Sequence, residues 1–206
     1  MAEFKRHTEC MRRLLITFLT ISSLAMAATY EVRPAADAQF ALTVEKTGLY
    51  RGKKHLFVFE KYQGSLQFDP AVPAASKIEL MIDSRSAVCK DDWVSAKDLK
   101  SIEETALEDM LVVKRYPSMN FSSGAIKDLG NGKFEAQGTL TIRDIPKPVT
   151  VLVQANATNP EQLRLDGTAK IKLTDYKLKP PSAALGLIGT KDEMTLNFQI
   201  LAARVD

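Results

Sequence analysis

Histidine and cysteine are nearly missing from this chain, which has two of each and a single tryptophan among 206 residues. A typical structural zinc site takes four nitrogen or sulfur ligands. Outside the first 27 residues only His55 and Cys89 are left, too few for one. No G-x-S-x-G, H-E-x-x-H, Walker or dinucleotide-binding pattern occurs. Asp91 and Asp92 are sequence neighbours that would point apart on a strand. These gaps argue against an enzyme, leave Cys89, Asp91 and Asp92 as the weak catalytic candidates, and imply no cofactor.

Long apolar runs are also scarce. The one present, Leu14 to Met26, follows Lys5, Arg6, Arg12 and Arg13 and ends in Ala25-Met26-Ala27. It is shorter than the roughly 20 residues that span a bilayer. It predicts a secretory signal peptide over residues 1–27, cleaved near Ala27, and a periplasmic or secreted domain over residues 28–206. The Arg12-Arg13 pair lacks the surroundings of a twin-arginine signal, so general secretion is the reading.

An excess of one charge is missing as well. The signal segment removes four of 28 basic and two of 25 acidic residues, leaving 24 against 23 and a net charge of +1. Nothing there calls for nucleic acid. Cys10 leaves with the segment, so Cys89 has no intramolecular partner and reads as a buried, inert thiol.

What the chain has is alternation. Leu140 and Ile142 share one face of a strand, and Val149, Val151 and Val153 share one face of the next. Asp144 to Pro148 reads as the turn between them, since a proline has no N–H to give a paired ladder. Phe40, Leu42 and Val44 alternate with polar residues, as do Ile78, Leu80 and Ile82. Strand signals recur at Tyr30 to Val32, His55 to Tyr62, Ser65 to Phe68, Met119 to Ile126, Phe134 to Arg143, Pro148 to Ala157, Gln162 to Thr174 and Met194 to Leu201. Leu56 and Val58 oppose Phe57 and Phe59, which predicts a strand covered on both faces, with a helix as the cover.

The period changes once. Leu99, Ile102, Ala106, Leu107, Met110 and Leu111 fall three and four apart, predicting an amphipathic helix capped by Ser95 and Asp98 and ended before Pro117. About eight or nine antiparallel strands with one helix make an all-β domain, a sandwich or a closed barrel, which periodicity does not separate. Lys177 to Lys191 reads as a loop lying over the domain or, with Gly186 and Gly189, a lid at its entrance.

Several ordered segments carry a family likeness. Gly138, Leu140, Thr141, Ile142, Lys147, Pro148 and Val149 match a G-x-L-T-I-x-G-V-x-K-P-V pattern. Tyr62 to Pro70, Lys77 to Asp83, Arg115-Tyr116-Pro117 with Phe121, and Asp192-Glu193 follow in order. Over roughly residues 29 to 203 the chain resembles the YceI-like family of polyisoprenoid-binding proteins. The resemblance implies an antiparallel lipocalin-like β-barrel of about eight strands with one amphipathic α-helix. It also implies an interior that sequesters or carries a polyisoprenoid, an isoprenoid quinone or another amphipathic lipid such as a fatty acid, with transient contact to a membrane surface.

On that reading the apolar lining is Phe40, Leu42, Val44, Ile78, Leu80, Ile82, Phe121, Phe134, Leu140, Ile142, Val149, Val151, Val153, Leu165, Ile171, Met194, Leu196 and Phe198. By periodicity alone the same residues make a dry core, because an eight-stranded barrel is just wide enough for either outcome. The family pattern F-x-[IV]-x-H-x-G falls on Leu42 to Gly48 with Lys46 at the histidine position, and the R-D-x-H-L pattern finds only Ala96-Lys97-Asp98-Leu99. Lys46 and Trp93 are the head-group candidates, and His55, within Lys53-Lys54-His55, reads as a surface residue. The rival reading is a filled barrel acting as a protein-interaction module in envelope stress or respiratory assembly, with an exposed apolar patch at Phe57, Phe59 or Leu185 to Ile188.

Overall fold

The protein is described here from a computed structural model covering residues 27–205 except Pro70 and Pro160. The segment expected to be a signal peptide, residues 1–27, therefore lies outside the described residues, apart from Ala27. Twelve strand segments form a single sheet: β1 Ala28–Arg33, β2 Gln39–Gly48, β3 Lys54–Phe59, β4 Tyr62–Phe68, β5 Lys77–Asp83, β6 Ala87–Cys89, β7 Ser118–Gly130, β8 Lys133–Ile142, β9 Ile145–Asn159, β10 Gln162–Lys172, β11 Ser182–Ala183 and β12 Ile188–Arg204. Helix α1, Ala96–Glu104, lies between β6 and β7.

Hydrogen bonds run in the order β1-β4-β5-β7-β8-β9-β10-β12 and return from β12 to β1. The result is a closed antiparallel barrel of eight strands with one short helix. Where the eight strands close, the ring leaves no edge for another strand among the described residues; open edges remain only at the helix end.

The extra segments are extensions of barrel strands past a kink. Along β12, Leu201 faces Arg33 of β1 and Gln199 faces Gln39 of β2, so β1 and β2 act as one strand broken at 34–38. In the same way β3 continues β4, and β6 continues β5 beyond a turn of 3₁₀-helix at Ser84–Ser86. The wall is not complete at this end. Strand β7 begins where Ser118 faces Asp83, so β6 pairs with β3 alone.

That gap is where the helix sits. Ser95 accepts the Asp98 N–H at 3.2 Å and donates its hydroxyl to the Asp98 carboxylate at 2.7 Å, the expected cap. After Glu104 the chain widens into a π-helical turn, Thr105–Met110, with Leu111 N–H reaching back to the Ala106 carbonyl at 2.9 Å. The helix is pinned to the barrel by the Glu103 carboxylate, which accepts the Cys89 N–H at 2.8 Å. It does not cover Leu56 and Val58: these stay half-buried on the outer face, while His55, Phe57 and Phe59 point inward.

Two other sequence expectations are corrected. The β8–β9 connection is a two-residue turn, Arg143 and Asp144, both at positive φ of 52° and 60°. Pro146 and Pro148 lie inside the paired strand, opposite Thr141 and Thr139. A two-residue hairpin makes these the non-hydrogen-bonded pairs, so each missing N–H would have pointed away from β8. On that far side β9 has no strand partner among the described residues until Val151, which pairs with Ala169, so no ladder bond is lost. The last strand also starts at Ile188 rather than Met194.

Candidate functional site

The barrel is hollow at its helix end. A cavity of about 360 Å³ lies there, walled by Phe40, Leu42 and Val44 of β2, Phe57 and Phe59 of β3, Ile82, Met119, Leu140, Ile142, Ile171, Met194 and Leu196. It is roofed by Ile102, Ala106, Met110 and Leu111 and by Leu178, Pro181 and Ala183. Its size falls within the roughly 300–1,000 Å³ of small-molecule sites. Asp98, Ser101, Ser182 and Ala183 line it and are solvent-exposed, so it opens between the helix and the 181–183 segment.

The proposed apolar lining divides along the barrel axis. Phe40, Leu42, Val44, Ile82, Leu140, Ile142, Ile171, Met194 and Leu196 face the cavity. Leu80, Val149, Val151 and Leu165 are buried in the core beyond it, with Ile78, Phe121, Val153 and Phe198 packed partly buried against that core. Phe134 meets Phe68 edge-to-face, with ring centroids 5.9 Å apart. Phe198, which does not line the hollow, stacks on Phe40 with ring centroids 6.0 Å apart. Phe57, Phe59, Met119 and the helix residues were absent from the lining read off the sequence; the helical spacing of Ile102, Ala106 and Met110 was the signal that could have added the helix residues.

The polar end of the cavity is built from two neighbouring strands. Val44 of β2 faces His55 of β3, and Lys46 N–H bonds to the Lys53 carbonyl at 2.9 Å, so Lys46 and His55 are diagonal neighbours. Both line the cavity. On the outer face of the same hairpin Glu45 is paired with Lys191 at 2.5 Å and Lys54 at 3.7 Å, whereas Lys46 makes no ion pair among the described residues. Burial holds the Lys46 ammonium below the ordinary lysine value, with the Asp91 charge opposing the shift.

His55 is not the surface residue its lysine neighbours suggest; it is only 7% exposed. Its Nδ1 lies 2.5 Å from Asp91 Oδ2, and Asp91 Oδ1 accepts the Leu56 N–H at 2.9 Å. Trp93 stands behind the imidazole, outside the cavity wall, with ring centroids 5.4 Å apart and planes 28° apart. The indole N–H donates to the Lys54 carbonyl at 2.9 Å, and the Tyr50 ring packs against it with centroids 5.7 Å apart.

The ligand atoms of His55, Cys89 and Asp91 lie within 4.8 Å of one another. A tetrahedral ion about 2 Å from each ligand would hold its ligand atoms about 3.3 Å apart, so the 2.5 Å His–Asp contact has the spacing of a hydrogen-bonded pair rather than of a coordination shell. Burial, reinforced by Asp91 and Glu103, pushes the Cys89 thiol up to about 12 and keeps it protonated. Asp92 is exposed, so the adjacent carboxylates do not share a site.

Of the apolar patch considered from sequence, Phe57 and Phe59 are buried. Leu185 and Leu187 are exposed, and they stand beside exposed Leu49 and Tyr50, since Leu49 N–H bonds to the Leu187 carbonyl at 3.0 Å. Exposed Arg51 and Lys53 follow Leu49 and Tyr50 in the same loop.

A family model described as the YceI-like domain matches residues 30–202. A UPF0312 protein of Pseudomonas putida strain W619 is 28% identical over 173 residues, covering 81% of this chain and 85% of the relative. One from Vibrio cholerae is 27% identical over 131 residues, 61% of this chain and 66% of that protein. The crystal structure of Burkholderia cenocepacia BcnA superimposes with a TM-score of 0.66 at 24% identity, over 82% of this chain and 98% of BcnA. A Saccharophagus degradans structure, titled a polyisoprenoid binding domain implicated in plant cell wall breakdown, gives 0.62 at 13% identity over 87% and 99%.

Proposed function

Because the chain belongs to the YceI-like domain family, we propose that it is a binding protein rather than an enzyme, one that holds the apolar tail of a polyisoprenoid, an isoprenoid quinone or a similar single-chain lipid inside its barrel. The observation that carries this reading is the apolar hollow of about 360 Å³, open at the helix end. A solved relative titled a polyisoprenoid binding domain shares the barrel and adds support. The lining residues named above are the proposed tail contacts, with Lys46 at the head.

Tail burial supplies about 0.8 kcal/mol per methylene, against roughly 4–15 kcal/mol for the lost freedom of association. A few buried carbons therefore do not suffice, and the polar contacts at the mouth decide which lipid is kept. The reading includes export, with residues 28–206 as the working domain in the periplasm or outside the cell. The patch of Leu49, Tyr50, Leu185 and Leu187, with its basic flank, is the surface proposed to rest on an anionic bilayer while the tail moves. A filled barrel acting through protein partners would need no continuous hollow, and the cavity weighs against it.

Native mass spectrometry of protein purified from its own envelope tests the proposal. The expected result is one lipid per chain, released by organic solvent. Uniformly ligand-free protein that also refuses added prenylated lipid would end it.

A further inference from the structure

We propose that His55, fixed by Asp91, is a hydrogen-bond acceptor at the polar end of the cavity and, together with Lys46, selects amphiphiles whose head carries a hydroxyl group. The inference rests on the lipid-binding reading and assigns it a head-group chemistry.

The argument starts at Asp91, whose side chain is fully buried and bonded on both oxygens, to the His55 ring and to Leu56 N–H. A carboxylate can only accept, so the proton between the two residues belongs to Nδ1. In the neutral ring Nε2 is then a bare lone pair, as when a buried aspartate sets the tautomer of a histidine in other proteins. Trp93 stacked on one side, and Phe57 at 6.4 Å, restrain the ring from turning over. No hydrogen bond to Nε2 is made among the described residues, although His55 is 7% exposed and stands in the cavity wall. An acceptor so placed is best satisfied by a donor that arrives with the ligand.

Lys46 supplies the complementary group. Lys46 is half-buried, lines the same cavity, and makes no ion pair among the described residues, although it feels the Asp91 charge. The other carboxylate at the mouth, Asp98, is engaged by the Ser95 hydroxyl and its own cap. An acceptor and a donor side by side fit an alcohol or phenol: its O–H gives to Nε2 and its oxygen accepts from Lys46. An ether or a quinone carbonyl satisfies Lys46 only. A carboxylate or phosphate sets a lone pair against Nε2, with the Asp91 charge behind it. Sites built around a substrate hydroxyl reject analogues that lack one far more strongly than apolar pockets reject a lost methylene.

Delipidated protein titrated with farnesol, farnesyl methyl ether and farnesoate, three heads on one tail, tests this. Farnesol is expected to bind at least tenfold tighter than the ether, and ¹⁵N spectra of the His55 ring to show the proton on Nδ1, with Nε2 shifting on addition of farnesol and not of the ether. Asp91→Asn, whose amide can donate to Nδ1, is expected to turn Nε2 into a donor and erase the preference. Lys46→Met is expected to weaken all three and keep the order of alcohol over ether. Equal binding of alcohol and ether by the unaltered protein, tighter binding of farnesoate, or a neutral ring protonated on Nε2 overturns the proposal and leaves lipid binding standing. Failure of all three to bind removes both readings. Should Asp91→Asn not fold, the wild-type ratio and the ring spectrum still decide.

Discussion

Gly138 opens the segment that gave the chain its family likeness, and its role can be weighed. A Cβ built there would meet the Ser122 carbonyl oxygen and lie 2.6 and 2.7 Å from two carbons of the Phe121 ring. The ring lies over Gly138 because β7 and β8 are paired there, Phe121 with Leu140 and Ser123 with Gly138. Gly138→Ala therefore has two opposing effects. Ala restricts the unfolded chain and gains about 0.4–1 kcal/mol. Overpacking costs about 1–3 kcal/mol, and the ladder carbonyl that must move makes the upper part of that range apply. The net loss is about 1–2 kcal/mol, or at ~2–4 °C per kcal/mol a melting point lower by roughly 2–8 °C. Gly124 on β7 is the control, since its added Cβ would find only the Gln137 carbonyl at 3.6 Å, an ordinary contact. Gly124→Ala should hold or raise the melting point. Circular dichroism melts of both variants test the reasoning; Gly138→Ala melting at or above the parent would refute it.

Alkaline pH should weaken the fold. Burial raises the Cys89 thiol and the Tyr176 phenol to about 12 from ordinary values of 9.0 and 10.0, so between those limits the folded chain holds more protons than the unfolded one. The stabilisation is complete below about pH 9 and is lost as pH rises towards 12, so the urea midpoint should fall over that window and fall less in Tyr176→Phe; a flat or rising midpoint contradicts it. In the native state Cys89 should also ignore thiol reagents that label it in urea. Leu185→Asp with Leu187→Asp, both exposed, should leave stability within about 0.5 kcal/mol but cut sedimentation with anionic vesicles about tenfold or more, since each buried leucine is worth roughly 1.5–3 kcal/mol. Unchanged vesicle binding would dismiss the patch as a membrane contact.

The barrel was legible because alternation survives wherever one strand face is wet. Leu140 and Ile142, with Val149 and Val151, point inward as their spacing implied. Depth along the barrel was not legible, since a period of two gives the face of a residue but not its height; hence Leu42 borders the hollow while Leu165 fills the core. The start of β12 was hidden by the polar run Thr190 to Glu193, whose Lys191 pairs across to Glu45. His55 was misjudged because its partner lies 36 residues away and its sequence neighbours are lysines. Its burial is a tertiary property with no local signature.

The hollow itself is the claim everything functional stands on, and Ala106 is the place to challenge it. Ala106 faces the cavity from the π-helical turn, so Ala106→Trp would fill much of the space a tail needs while leaving the barrel ladder untouched. Native mass spectrometry of parent and variant, each expressed in the original host and exposed to the same lipids, measures occupancy directly. The parent should carry one lipid per chain, and the folded variant none; equal occupancy of the two, or an empty parent, would contradict a tail held inside the barrel.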